Sequence, residues 1–321
     1  MTNTERHQDR KIIGMGETIL DILFRGRQPV AAVHGGSSFN GIISAARAGV
    51  ECVFVGYTGG DIVGEQTVDF MRQNGVGTDY LQIRSEEKSA ISLAFLSESG
   101  DASYVFHKGT PLAGNLWTLP PVNPHDILIY GSYYACCPGM RPLVEEMLRR
   151  MNEHEGIVYY DLNFRRPHLK ELNALMHTIQ DNYRCSTIVR GSADDFDVMF
   201  STRDARTVYR EHIAPFCPLF ICTAGAKSVT VCTPTGCYDF PVPPVSDVVS
   251  TVGAGDNFNA GFACALIRYG IHREEFLALP CDLWQLLIAD ACDFAANACE
   301  STDNYITASF GREYSLRASG N

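Results

Sequence analysis

No two of the chain's 12 cysteines stand at C-x-x-C spacing, which removes the usual sequence sign of a zinc ribbon or a dithiol redox centre. The nearest pairs are Cys136-Cys137, then Cys217/Cys222 and Cys232/Cys237. Disulfide scaffolds are far shorter than 321 residues, so reduced cysteines serving as small apolar residues are expected. No apolar run approaches the ~20 residues of a membrane span. The stretch Met1 to Lys11 is polar and charged, unlike a signal peptide. Basic residues are few: 26 Lys and Arg against 37 Asp and Glu give a net charge of −11, with no basic cluster. Nucleic acid and anionic membranes are therefore poor partners, and a cytoplasmic location is expected. An anionic ligand would have to be met by local amides, a metal or single placed cations. Glycine (28) and proline (15) show no period, which excludes collagen-like and low-complexity chains. The phosphate loop G-x-x-x-x-G-K-[ST] is absent, and Gly14-Met15-Gly16-Glu17-Thr18-Ile19 lacks the third glycine of a dinucleotide fingerprint. No HRD and DFG pair marks a protein kinase.

What is present is enough apolar material, 45% of residues, for a substantial core. At about 150 residues per domain the length fits two domains or one large α/β domain. Short β-branched and aromatic runs recur: Ile12-Ile13, Val53 to Val55, Ile127 to Tyr130, Ile157 to Tyr160, Thr187 to Val189 and Leu219 to Ile221. Most are apolar on both faces, as strands between helical layers require. Helices are predicted between them over Ser38 to Gly49, Ile62 to Asn74, Met140 to Glu153, His168 to Asp181 and Asp204 to Ile213. The alternation is βαβα and predicts a mostly parallel sheet covered on both faces. Ser89 to Phe106 breaks the rhythm with two strands joined through Ser99-Gly100-Asp101, which reads as a flap on the ligand side. The extended stretch Asp21 to Val33 can join it.

The strongest chemical signal is Ser250-Thr251-Val252-Gly253-Ala254-Gly255-Asp256 ahead of an apolar helix, Asn257 to Tyr269. Glycines around one alanine let the backbone turn sharply and aim N–H groups into one cavity. The helix start adds its positive dipole end. The result is an oxyanion or phosphate hole with the Asp256 carboxylate at its lip, suited to take a proton from an attacking hydroxyl. A glycine-rich turn with Asp256 capping a helix accounts for the same residues equally well.

With its other motifs in order, the chain resembles the ribokinase/PfkB-type carbohydrate kinases from Ile12 to about Tyr305. Gly16 to Asp21 matches the opening strand with its sugar-binding aspartate, and Gly35-Gly36-Ser37-Ser38-Phe39-Asn40 matches the Gly-Gly…Asn signature. Gly56 to Gly64 matches G-x-x-G-x-D-x-x-G, Asp161 to Arg165 matches D-x-N-x-R, and Thr223-Ala224-Gly225 matches the T-x-G nucleotide loop.

The resemblance implies a ribokinase-like three-layer α/β sandwich, a single domain over 1–321, with a small β lid from about 17–34 and 89–110. It implies transfer of the ATP γ-phosphoryl group to a sugar hydroxyl, with Mg²⁺. Asp256 would be the base, with Gly253, Ala254 and Gly255 holding the transferring phosphate. Asp21, Gly35, Gly36, Asn40, Lys108 and Arg165 would meet the sugar. Ser192, Thr223, Gly225 and Asn297 would meet ATP, and Asp195 the metal. The motifs are closest to the fructokinase and 2-keto-3-deoxygluconate kinase branch, so fructose is the leading acceptor, ahead of the keto acid and ribose. A homodimer is compatible with the resemblance. A sugar or nucleotide sensor is the non-enzymatic rival, and the intact Gly253 to Asp256 argues against it. A metal- or redox-responsive protein using the cysteines is the third reading.

Three positions depart from the family pattern. Ser250 stands where the signature has an aspartate of a monovalent-cation site, Ser192-Ala193-Asp194-Asp195 replaces N-x-x-E, and His107-Lys108 stands where sugar-acid and fructose kinases often carry arginine.

Overall fold

The computed structural model describes residues 10–96, 102–107 and 117–319. The chain divides into two compact units, one of Lys11–Pro120, Val245–Cys264 and Ala291–Asn321, the other of Met1–Arg10, Pro121–Pro244 and Ala265–Asp290.

In the first unit, strands β1 (Ile12–Met15), β4 (Cys52–Gly59), β5 (Val76–Gly77) and β6 (Leu81–Arg84) are parallel, with β4 pairing the other three. Ile12, Ile13, Phe54 and Val55 are fully buried, which is why these runs carry apolar residues on both faces. A second sheet runs β3-β2-β7-β8, with β2 (Ile19–Arg25), β3 (Gln28–Gly35), β7 (Ala90–Leu96) and β8 (Ala102–His107). The antiparallel β2–β3 pair carries a register shift between Leu23 and Phe24, and β2 pairs β7 in parallel. Helices α1 (Ser37–Arg47) and α2 (Ile62–Gln73) belong to this unit. The predicted turn Ser99-Gly100-Asp101 lies outside the described residues.

In the other unit the order is β14-β13-β12-β11-β10-β9. Strands β9 (Ile127–Gly131), β10 (Ile157–Asp161), β11 (Ile188–Ser192) and β12 (Phe220–Thr223) are parallel. Helices α3 (Arg141–Glu153), α4 (Leu172–Cys185), α5 (Ala193–Phe200) and α6 (Ala205–Val208) alternate with them. All five residues of β9 and of β10 are buried. The antiparallel pair β13 (Ser228–Thr233) and β14 (Gly236–Pro241) was not legible as strands, because threonines and a hairpin proline dilute the apolar signal. The helix expected from His168 is a 3₁₀ turn over Arg166–Glu171 before α4 starts, with Pro167 in its first turn. The helix expected to Ile213 widens into a π turn over Tyr209–Ile213. Three helices follow: α7 (Ala254–Arg268), α8 (Cys281–Cys299) and α9 (Ala308–Ser319). Among the described residues no helix is long and apolar enough to cross a membrane.

The expectation of uniformly reduced cysteines is corrected at one place. Cys232 and Cys237 face each other across β13–β14 with Cα atoms 4.1 Å apart and form a disulfide. Register brings them together, which spacing alone did not reveal. The other ten are free thiols.

Asp61 ties α2 to the second sheet. Its carboxylate caps α2 by accepting from the Gly64 amide at 3.1 Å, and it takes the Ser89 amide and hydroxyl at 3.0 and 2.7 Å. Burial alone would raise its pKa, yet these hydrogen bonds hold the carboxyl below its usual range. A carboxyl depressed in the folded state stabilises while ionised, and that contribution disappears as pH falls through its folded value. Asp61→Ala should therefore cost about 1–2 kcal/mol at neutral pH, and the gap from wild type should narrow below about pH 4. Urea unfolding at pH 7 and pH 3 checks both; a constant gap would mean that the charge contributes nothing.

Candidate active site

The first unit holds its polar groups around helix α1. Gly36 precedes that helix with φ of 126°, and a Cβ there would lie 2.2 Å from the Glu17 carbonyl oxygen, so only glycine fits. Ser37 and Asn40 follow at i and i+3 on one face. The Ser37 hydroxyl donates to Asp256 Oδ1 and Asn40 Nδ2 to Oδ2, each at 2.8 Å. One turn on, Ser44 donates to Asn257 Oδ1 at 2.5 Å. Asn257 in turn donates to the Gly253 and Asn304 carbonyls at 2.8 and 2.9 Å. The serines of this Ser37/Asn40/Ser44 stripe escaped the sequence reading, although their 3-and-4 spacing marks one helix face.

Asp256 sits inside the first turn of α7 instead of capping it from outside. The preceding loop turns at Gly253, whose φ of 79° and 3.0 Å approach to the Asn304 carbonyl again require glycine. Because α7 begins at Ala254, the amides of its first turn, Gly255 included, have no intrahelical acceptor. Ser250 uses its hydroxyl to accept the Val252 amide at 3.2 Å.

Asp21, on β2, accepts a hydrogen bond from its sheet neighbour Ser92 on β7 and another from Asn304. Gly35 runs against it, since a Cβ there would stand 2.6 Å from Asp21 Oδ2. Burial pushes the Asp21 carboxyl up to about 6, Glu17 adds to the rise, and the two hydrogen bonds oppose it. Asn40 keeps Oδ1 buried, with no hydrogen-bond partner among the described residues. Asn297 has its amide taken up locally, accepting the Thr307 amide at 2.8 Å and donating to Glu300 at 3.1 Å.

The other unit gathers a second set at the carboxyl ends of β10, β11 and β12. Arg190 donates to Asp161 Oδ1 at 3.0 Å and to the Thr223 hydroxyl at 2.7 Å. Ser192, beside Thr223 in register, caps α5 in a reciprocal box with Asp195. Gly225 turns the T-x-G loop with φ of 58°. Arg165 follows the end of β10, exposed, and lines a small cavity with Tyr133, Phe164 and His168. Lys108 lies outside the described residues.

Asp195 spends one carboxylate oxygen on its own helix cap. Its Oδ2 accepts both the Ser192 amide, at 2.7 Å, and the Ser192 hydroxyl, at 2.8 Å. Burial also raises its pKa, and the Ser192 hydrogen bonds oppose the rise. Among the described residues, three metal-capable groups converge at His125, His272 and Glu274. There the two imidazoles stack with centroids 4.0 Å apart, an arrangement that does not aim both ring nitrogens at one ion.

Residues 27–299 match the pfkB family of carbohydrate kinases. The chain is 28% identical to aminoimidazole riboside kinase of Salmonella typhimurium, covering 84% of each chain. It is 24% identical to fructokinase of Klebsiella pneumoniae, over 85% of this chain and 89% of that one. Among solved structures it superposes with a TM-score of 0.80 on aminoimidazole riboside kinase from Salmonella enterica complexed with aminoimidazole riboside and an ATP analog. That match covers 96% of this chain and 100% of the other at 25% identity.

Carboxyl-carbon NMR should show one aspartate titrating near pH 6 that vanishes in Asp21→Asn. Ser92→Ala should move its midpoint upward, because the lost hydrogen bond favoured the charged form. A folded value above the unfolded ~3.9 also means that stability declines as pH rises from about 4 to 6. Asp21→Asn should remove that decline, and a midpoint near 4 would refute the buried placement.

Proposed function

This chain belongs to the pfkB family of carbohydrate kinases, and from that premise we propose that it transfers the γ-phosphoryl group of ATP to a hydroxyl of a small sugar, with fructose as the leading acceptor. The observation that carries the reading is the Asp256 carboxylate, fixed by Ser37 and Asn40 in the first turn of α7. Two accepted hydrogen bonds set its direction. Asp256 takes the proton of the acceptor hydroxyl as that oxygen bonds to phosphorus, and the bond from phosphorus to the bridging oxygen of ADP breaks. The amides of Gly253, Ala254 and Gly255, with the helix dipole behind them, face the charge on the transferring group. Asp21 and Asn40 Oδ1 accept from sugar hydroxyls, and the turn at Gly35 and Gly36 lets the backbone come close. Arg165 and Lys108 supply cations on the sugar side. On the nucleotide side Ser192, Thr223 and Gly225 meet phosphates and Asn297 the nucleoside. The second sheet acts as the lid.

Fructose leads because the opening Gly-Glu…Asp and the D-x-N-x-R element follow that branch, and relatives named fructokinase support it. A riboside acceptor is the second reading, favoured by the likeness to aminoimidazole riboside kinase. An ADP-release screen over fructose, 2-keto-3-deoxygluconate, ribose and aminoimidazole riboside decides between them, and no turnover with any of them would leave the sensor reading.

Asp256→Asn should lower kcat by about 10²–10⁴ with little change in melting temperature or nucleotide affinity, since the shape is kept. Retention of more than about a tenth of wild-type kcat would remove Asp256 as the base. A second expectation concerns potassium. Ser250 supplies a neutral oxygen that also accepts the Val252 amide, where an aspartate would attract a cation by on the order of 4 kcal/mol at an effective dielectric near 20. Activity should therefore depend little on K⁺. The comparison is kcat/KM in K⁺, Na⁺ and a bulky organic cation at equal ionic strength; tenfold stimulation specific to K⁺ would overturn it.

A further inference from the structure

Arg190 belongs to none of the motifs that mark the site, yet it is the hub of the second cluster. It lies mid-sheet on β11, directly beside Asp161 of β10 in register, and only 5% of it is exposed. Its guanidinium reaches in two directions, to Asp161 at 3.0 Å and across its own strand's end to Thr223 at 2.7 Å. A planar fork can hold both partners at fixed angles, and a lysine ammonium on its single stem cannot match that geometry.

The second contact determines what Thr223 can do. A hydroxyl carries one donor and two acceptor positions, while a guanidinium only donates. Thr223 Oγ therefore accepts from Arg190, and its own proton is left to point elsewhere. Among the described residues that hydroxyl has Arg190 as its one partner. Thr223 ends β12 and is half-buried, at the carboxyl edge where parallel sheets receive ligands. Phosphate oxygens only accept, so they match a hydroxyl committed to donating.

Stability alone does not account for the Asp161–Arg190 pair. Apolar residues of the same volume at both positions are commonly as stable as a buried ion pair. The directional contact to Thr223 would be lost with them.

We propose that Arg190 is a positioning residue for phosphoryl transfer, which holds the Thr223 hydroxyl as a donor to a nucleotide phosphate oxygen. This rests on the reading of Thr223 as a nucleotide contact. Arg190 itself touches no substrate.

The test is a double-mutant cycle between Arg190→Met and Thr223→Ala, read by ATP dissociation constant, KM for ATP, sugar dissociation constant and melting temperature. Each single variant should weaken ATP binding about tenfold. The double variant should be no worse than Thr223→Ala alone, and sugar affinity should stay within twofold throughout. Arg190→Lys should recover only part of the ATP affinity. Should Arg190→Met fail to fold, Arg190→Met with Asp161→Asn removes both buried charges and is compared with Thr223→Ala in the same way. Additive losses would overturn the proposal, as would equal weakening of sugar and ATP, the mark of a general structural role. If Thr223→Ala leaves ATP binding unchanged, the underlying reading of Thr223 fails and the proposal falls with it. If Thr223→Ala weakens ATP binding and Arg190→Met does not, the proposal alone fails.

Discussion

Two hydrogen bonds to one carboxylate are the constraint around which the first unit is built. Asp256 can be aimed only if Ser37 and Asn40 share a face of α1, and that face must lie close to the start of α7. Close approach in turn needs residues without bulk at the contact: a Cβ on Gly41 would stand 3.1 Å from the Asp256 carbonyl oxygen. It also needs the loop before α7 to be fixed, which Asn257 does by bridging the Gly253 and Asn304 carbonyls. The buried side of α1, with Phe39, Ile42 and Ile43, anchors the same helix in the core. One short helix thus carries packing on one stripe and chemistry on another.

Buried charge is handled differently in the two clusters. Among the described residues Asp21 has hydrogen-bond donors but no cation against it, and burial raises its pKa to about 6. Such a group gains from hydroxyl donors, which stabilise its charged form. Asp161 is buried as deeply but faces Arg190, which compensates its charge. Breaking that pair by removing one partner would cost about 3–5 kcal/mol. Asp195, nearby, is folded onto its own helix cap.

Much of this was legible in the sequence. Apolar two-faced runs gave β9 and β10, the βαβ alternation gave the parallel order, and the Gly253 to Asp256 signature pointed to a carboxylate beside a helix start. A boundary shifted where local chemistry intervened, at Pro167, and the threonine-rich β13–β14 pair was missed. That Asp195 caps its own helix was not legible, because an acid at the end of a four-residue motif has the same letters whether it faces a cavity or a helix cap.

The sequence by itself determined the fold class, the family and which residues could carry charge or turn the backbone, because periodicity, glycine positions and ordered motifs are properties of the chain read locally. Only the tertiary structure decided which polar groups meet: Ser37 with Asp256, Asp21 with Ser92, Arg190 with Thr223, Cys232 with Cys237. The first three pairs lie 33 to 219 positions apart, and the cysteines need a strand register to face each other. Hydrogen bonds and ionisation respond to distances of a few ångströms and to burial, and neither is defined until helices and strands have packed.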